Sequence, residues 1–339
     1  MLHRCFSQLR IFAFQTVQGM ATFPKLNPRL RTNNDTGFGT NASSYGGRFV
    51  NKDGSFNLRR EGIAFSDRFS IYQSMLSLPR WKFFFLIVLF YISVNILYTL
   101  AYLVIGIEGL QGLTGTTTWA RIKEVFFFST QTFTTVGYGR INPISDGTSL
   151  VASLEALNGL LSFAIFTGLM YGRFAKPRSH LLFSNHAVIA PYKQITGLMF
   201  RVVPFKDKHV LTNVEVRVNL ALQIPEQGTM VNKFYNILLE RSRLDSLPMN
   251  WTIVHPIDEE SPLYGFTAAD LQAADAEVNV LISGFDDVYS SAVQQQTSYT
   301  YQEIKMNERF VPMYRESPDG KTTILEMHKL HQTVPITNQ

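Results

Sequence analysis

Thr135-Val136-Gly137-Tyr138-Gly139 is the stretch on which the reading of this sequence turns. Glycine at alternate positions tolerates backbone conformations closed to other residues, so successive carbonyl groups can line up along one axis where a Cβ would intrude. Carbonyls arranged in that way replace a cation's hydration shell. The context upstream supports this. Trp119 to Phe133 carries Phe126-Phe127-Phe128 and ends among the hydroxyls of Thr130, Thr132 and Thr134. That pattern suits a short helix whose C-terminus points inward, and the partial negative charge there favours a cation beneath it. A glycine turn in a soluble loop is the plain alternative.

Working outward, two apolar blocks flank this stretch. No charged residue occurs from Phe83 to Ile107, and about 20 apolar residues suffice to cross a bilayer as a helix. Trp81, Tyr98 and Tyr102 sit where interfacial aromatic belts form. The second block runs from about Leu150 and is interrupted by Glu155. An ionisable group inside a membrane segment needs a partner or water. Support of the central stretch, or an ion pair with Arg121 or Arg140, would supply one, and solvation at a helix end is the simpler reading.

Charges on the flanks set the orientation. Arg59, Arg60, Arg68, Arg80 and Lys82 precede the first span, and Arg173, Lys176 and Arg178 follow the second. Arg121, Lys123 and Arg140 between them are offset by Glu108, Glu124 and Asp146. The positive-inside rule therefore puts both termini in the cytoplasm of a multi-pass protein of the cell membrane, a bacterial inner membrane being the expectation. Phe65, Phe69, Tyr72, Met75 and Leu76 recur at helical intervals, which predicts an amphipathic helix over 65–78 lying along the interface.

Composition narrows the function classes. The chain has 339 residues and is 45% hydrophobic, with the apolar residues concentrated in those two blocks. A net charge of +5 without aromatic interleaving gives no nucleic-acid surface; anionic lipid is the acidic partner it suits. The single cysteine, Cys5, excludes an intramolecular disulfide and a cysteine metal cluster. There is no Gly-rich phosphate loop or Gly-x-Ser-x-Gly elbow, so an enzyme is not expected and no cofactor is implied.

The remaining chain is organised around these spans. Residues 1–47 read as a flexible N-terminus, rich in Asn, Thr, Ser and Gly over Thr32 to Gly47. Residues 48–64 form a cytoplasmic strand segment in which Asp53-Gly54 marks a turn. After Pro177 come short β-rich runs: Ala187 to Ala190, Leu198 to Val203, Val214 to Leu222, Trp251 to His255, Val278 to Ile282 and Thr322 to Leu325. Prolines and Ser317-Pro318-Asp319-Gly320 punctuate them, which predicts an antiparallel β-sandwich over 179–339 with one helix at Leu263 to Ala276.

Several separated strings resemble the inward-rectifier potassium channel family, its prokaryotic KirBac-like branch in particular. They are Arg48-Phe49-Val50 with Lys52-Asp53-Gly54, Arg80-Trp81-Lys82, Arg173-Phe174-Ala175-Lys176-Pro177-Arg178, Phe183-Ser184-Asn185-His186-Ala187-Val188-Ile189, and Asp258-Glu259-Glu260-Ser261-Pro262-Leu263-Tyr264. The likeness covers nearly everything from Arg48 onward. Thr135 to Gly139 is also the string that potassium channels carry in their filters.

The resemblance implies a membrane α plus all-β fold. A two-transmembrane-helix pore domain over 79–178, with spans at about 81–107 and 150–175 and a re-entrant pore helix and filter at 119–139, precedes a cytoplasmic immunoglobulin-like β-sandwich. It implies a homotetramer with four filters ringing one pore, potassium as the permeant ion, and a cytoplasmic vestibule. The ion would be held by backbone carbonyls of Thr135, Val136, Gly137 and Tyr138, with Gly139 closing the filter and the Tyr138 ring packed behind it.

Phe163, Thr167 and Tyr171 recur every four residues and share a face, which the resemblance places on the pore with Tyr171 at the constriction. Gly159 and Gly168 are candidate hinges, though close packing is the commoner use of such glycines. Phe163 stands where strong rectifiers of the family carry an acid, so weak block of the cavity by internal magnesium or polyamine is expected. Asp287 within Gly284 to Ser291 matches an acidic position of the cytoplasmic pore. Arg80, Lys82, Arg173, Lys176 and Arg178 would bind anionic lipid as a gating ligand. Two departures stand out: Arg140 follows the last filter glycine where potassium channels commonly place Asp, and Gln131 occupies the place of a pore-helix acid. A non-conducting membrane-anchored β-sandwich receptor and a poorly selective cation channel are the competing functions.

Overall fold

In a computed structural model, residues 32–33, 47–64, 70–207, 209–226 and 229–336 are described. They divide into two compact units, one comprising Arg60–Lys176 and the other the chain up to Arg59 together with Pro177 onward.

In the first unit helix α1 covers Ile71–Ser77, within the expected interfacial helix; residues 65–69 of that expectation lie outside the described residues. Helix α2, Arg80–Ile105, carries no charge beyond Lys82 and stops at Gly106, whose φ of 114° no ordinary side chain adopts readily. Helix α3, Thr118–Phe133, begins where the Thr117 hydroxyl accepts the Ala120 amide. Helix α4, Asp146–Phe174, is capped by Ser145 and places Asp146 in its first turn and Arg173 in its last, the order that its dipole favours. Both α2 and α4 are long and apolar enough to cross a membrane. Strands β1 (Leu110–Gln111) and β2 (Asn142–Pro143) pair antiparallel and tie together the ends of the α2–α4 connection.

The second unit holds two five-stranded sheets. One orders β11 (Ser291–Thr300), β10 (Glu277–Asp286), β6 (Leu211–Glu226) and β7 (Thr229–Asn236), with β8 (Arg243–Leu247) also on β6. The other orders β12 (Ile304–Met306), β4 (Ala187–Tyr192), β5 (Ile195–Pro204) and β3 (Leu181–Phe183), with β9 (Trp251–Ile257) also on β5. Alternation along β6 turns Val214, Val216, Val218 and Leu220 inward against Phe200, Val280, Ile282 and Tyr299, which forms the core.

The expected sandwich is present, with one departure from antiparallel pairing: β12 runs parallel to β4. Helix α5 covers only Ala268–Ala273, because Ser261 to Phe266 turns on backbone bonds such as Tyr264 N–H to Ser261 O before Thr267 caps the helix. The N-terminal segment turns at Asp53-Gly54, with Val50 in an isolated bridge to Phe56 and the Asn51 amide donating to Ser55 O. The segment 1–47 expected to be flexible lies outside the described residues except at 32–33 and 47, and Thr32 there bridges to Tyr235 on β7.

Candidate functional site

The stretch Thr135 to Gly139 follows directly from α3. Thr135, Gly137 and Gly139 all have positive φ, at 59°, 54° and 79°. A left-handed residue between neighbours of ordinary handedness reverses the peptide plane at each step, so carbonyls that would alternate in a strand turn to one side. Thr135 bears the strain of that conformation without being glycine. Three of the amides are engaged by the end of α3: Val136 N–H donates to Gln131 O at 2.9 Å, Gly137 N–H approaches the same oxygen at 3.4 Å, and Thr135 N–H reaches Thr132 O at 3.0 Å. With those three N–H groups committed, the carbonyl oxygens of the stretch are the groups that could act as ligands, and neutral oxygen donors suit a hard cation. Within one chain Tyr138 is 79% exposed.

Glu155 departs from the ion-pair expectation. It is buried and accepts hydrogen bonds from the Tyr102 hydroxyl at 2.7 Å and from the Ser129 hydroxyl, neither a cation. Arg140 instead pairs with Glu124 at 3.0 Å, and Arg121 Nε donates to Gly115 O. Glu124 also accepts the Thr114 hydroxyl at 2.7 Å, so the acid that offsets Arg140 is held in place. Composition gave no hint of Asn95, Tyr102 and Ser129 as partners; three polar side chains within apolar helices were the available signal.

Phe163, Thr167 and Tyr171 lie on one exposed face of α4, Phe163 at 72% and Tyr171 at 75% exposure. The two glycines differ. A Cβ on Gly159 would stand 1.8 Å from the Phe133 carbonyl oxygen, so this glycine lets α3 approach α4, whereas a Cβ on Gly168 would meet nothing within 4 Å.

Among the cationic residues, Arg80, Lys82 and Lys176 are exposed. Arg173 is half-buried: it donates to Met75 O at 3.3 Å and to Leu78 O, and its guanidinium lies 5.1 Å from the Phe83 ring centre. Those carbonyls end α1 and lack intrahelical donors, so Arg173 ties α1 to the first turn of α2. Arg178 is exposed in the second unit.

Asp287 is exposed at the turn between β10 and β11, while its neighbour Asp286 is buried. Burial works to raise the Asp286 carboxyl, but His209 Nδ1 at 2.9 Å and the amides of Tyr289 and Val288 bring it below the ordinary range. Asp286 thus shapes the turn and leaves Asp287 free to face solvent. His180, which packs on His209 with ring centres 4.5 Å apart, is held below its usual range by burial and by that neighbour.

Comparison with known proteins agrees with this architecture. The profile described as inward rectifier potassium channel C-terminal domain matches residues 181–339, and one described as ion channel matches residues 85–176. The inward rectifier potassium channel Kirbac3.1 of Paramagnetospirillum magnetotacticum is 32% identical over 289 residues, covering 84% of this chain and 95% of that protein. Inward rectifier potassium channel 4 of Homo sapiens is 30% identical over 222 residues, covering 61% of this chain and 49% of that protein. The chain is accordingly no enzyme but a membrane protein with a pore unit and a β-rich C-terminal domain, and it belongs to the inward rectifier potassium channel family.

Proposed function

We propose that four copies of the chain surround one axis and conduct potassium selectively, the ion passing dehydrated between the carbonyls of Thr135, Val136, Gly137 and Tyr138 with Gly139 ending the filter. The observation that carries this reading is the run of positive φ at Thr135, Gly137 and Gly139 with the intervening amides turned onto Gln131. A rigid ring of oxygens replaces water around the ion without reorganising, which makes dehydration affordable.

Phe163, Thr167 and Tyr171 line the cavity below, and four Tyr171 rings close it by excluding water. Open space around Gly168 suits a hinge there, while the contact at Gly159 suits rigid packing. Phe163 gives internal magnesium or polyamine no charge to bind in the cavity, so rectification is weak and rests on Asp287. Exposed Arg80, Lys82, Lys176 and Arg178 bind anionic lipid as regulators, and Arg173 transmits the effect through its bonds to the end of α1. Both termini face the cytoplasm.

The test is rubidium uptake into proteoliposomes, competed with potassium, sodium and barium across lipid mixtures. Wild-type protein should admit rubidium, be blocked by barium and discriminate against sodium, and Gly137→Ala should abolish uptake. Equal passage of sodium and potassium makes this a poorly selective pore, and no uptake by a well-folded tetramer makes it a receptor.

A further inference from the structure

Among the contacts of α4 with α3, two close ones lie one turn apart. Glu155 holds the Ser129 hydroxyl, and four residues on, Gly159 receives the Phe133 carbonyl closely enough that a methyl group would overlap it. The first contact is anchored again from α2. Tyr102 donates to the second Glu155 oxygen at 2.7 Å, and Ser129 lies 3.1 Å from Asn95 Oδ1 and 3.2 Å from Asn95 O. Asn95, Tyr102, Ser129 and Glu155 are each fully buried. Midway between Ser129 and Phe133 stands Gln131, whose carbonyl accepts the filter amides of Val136 and Gly137.

A buried carboxylate is a poor way to hold three helices together. Its desolvation costs several kcal/mol, and an apolar side chain of like volume would pack as well or better. What a carboxylate adds is direction: two fixed acceptors that specify where two hydroxyls sit. We infer that Glu155 is a positioning residue for the filter, fixing Ser129 while Gly159 fixes Phe133, so that the carbonyl of Gln131 presents one geometry to the amides of Val136 and Gly137. This rests on the proposed potassium conduction and assigns part of its specificity to α4. It also confines inner-helix bending to the segment beyond Gly159, since the segment from Glu155 to Gly159 is bound to α3.

The experiment uses the full-length chain in proteoliposomes at low and high potassium, with tetramer content and thermal stability measured on the same samples. Glu155→Gln keeps volume and one acceptor, and Ser129→Ala removes the donor. Each should lower uptake on the order of tenfold at low potassium, the size of one lost hydrogen bond to a charged group. High potassium should restore it, because occupied sites hold the carbonyls in place. The double variant should be no worse than the poorer single, the mark of one shared contact. Wild-type uptake by both single variants at every potassium concentration overturns the inference. So does a loss that is equal at low and high potassium and tracks reduced thermal stability, which is what plain packing would give. If Glu155→Gln fails to assemble, Ser129→Ala decides alone. Wild-type protein that passes sodium as readily as potassium would instead defeat the conduction reading, whatever Glu155 does.

Discussion

The two units are built inside out with respect to each other. In the β unit Phe200, Leu220 and Val280 are buried and the charged side chains are largely at the surface; in the pore unit Asn95, Ser129, Thr148 and Glu155 are buried while Leu97, Val104 and Leu160 are exposed. The same apolar residue types therefore do opposite work. Against water, burying them drives folding. Against lipid tails nothing is gained by burying them, so packing and interhelical hydrogen bonds organise the helices instead.

The largest test of that contrast is a pair of truncations. Phe200→Ala, at a site 1% exposed between the two sheets, should cost about 3–5 kcal/mol through lost transfer energy and the cavity left behind. Val104→Ala, at a site 86% exposed on α2, should cost less than about 0.5 kcal/mol. Thermal unfolding of the full chain in detergent and in lipid measures both. A Val104→Ala loss approaching that of Phe200→Ala would mean the α2 face meets protein rather than lipid.

Sequence legibility follows the same division. The spans were readable because an uncharged run from Phe83 to Ile107 has few other uses, and Thr135 to Gly139 because its glycine spacing fixes backbone handedness. Strands with apolar alternation, such as Val214 to Leu222, were equally plain. Strand β11 was not, because Ser291–Thr300 is mostly polar: Gln296 donates to Gly54 O and Ser298 to Val50 O, so its polar side chains are spent on the N-terminal segment. Alternation registers burial against an apolar core and is blind to burial against backbone. The Glu155 contacts were hidden for a related reason, since a carboxylate suggests a cation and the helices supplied two hydroxyls.

Glu277 is a buried acid of the β unit and so sharpens the comparison with Glu155. It accepts the Phe49 amide at 2.7 Å and the Val50 amide at 3.2 Å, joining the N-terminal segment to β10, and burial first of all raises its carboxyl above the ordinary range. Glu277→Gln sets an NH2 group against one of those donors. The expected loss is about 1.5–3 kcal/mol of docking of this segment, seen as faster hydrogen exchange at Phe49 and Val50 with the core of Phe200 and Val280 unchanged. Unchanged exchange would show that the edge-to-face contact of Phe49 with Phe234, with ring centres 5.2 Å apart, holds the segment by itself.

Lys52 gives the smallest effect and the one with a pH signature. Its ammonium lies 3.6 Å from the Tyr299 ring centre, 3.1 Å from Ser298 O and 3.6 Å from Glu303. Burial lowers it from 10.5 to about 8; Glu303 opposes that shift and Arg48 adds to it. Between those two values the unfolded segment binds more protons than the folded one, so stability rises as pH rises from about 8 to 10.5. This contribution is complete above 10.5 and is lost as pH falls through about 8. Lys52→Met removes the charge while Ser298 O keeps its bond from Arg48 Nη2 at 3.0 Å, so no acceptor is orphaned. Hydrogen exchange at Val50, compared between the two proteins from pH 7 upward, should show Lys52→Met docked more tightly by about 1 kcal/mol at most at pH 7, with the difference shrinking toward pH 10.5. A Lys52→Met segment that is looser at pH 7 would mean that the ring contact and Glu303 outweigh burial, and that cations are held in the water-facing unit by the same directional logic as the acid among the helices.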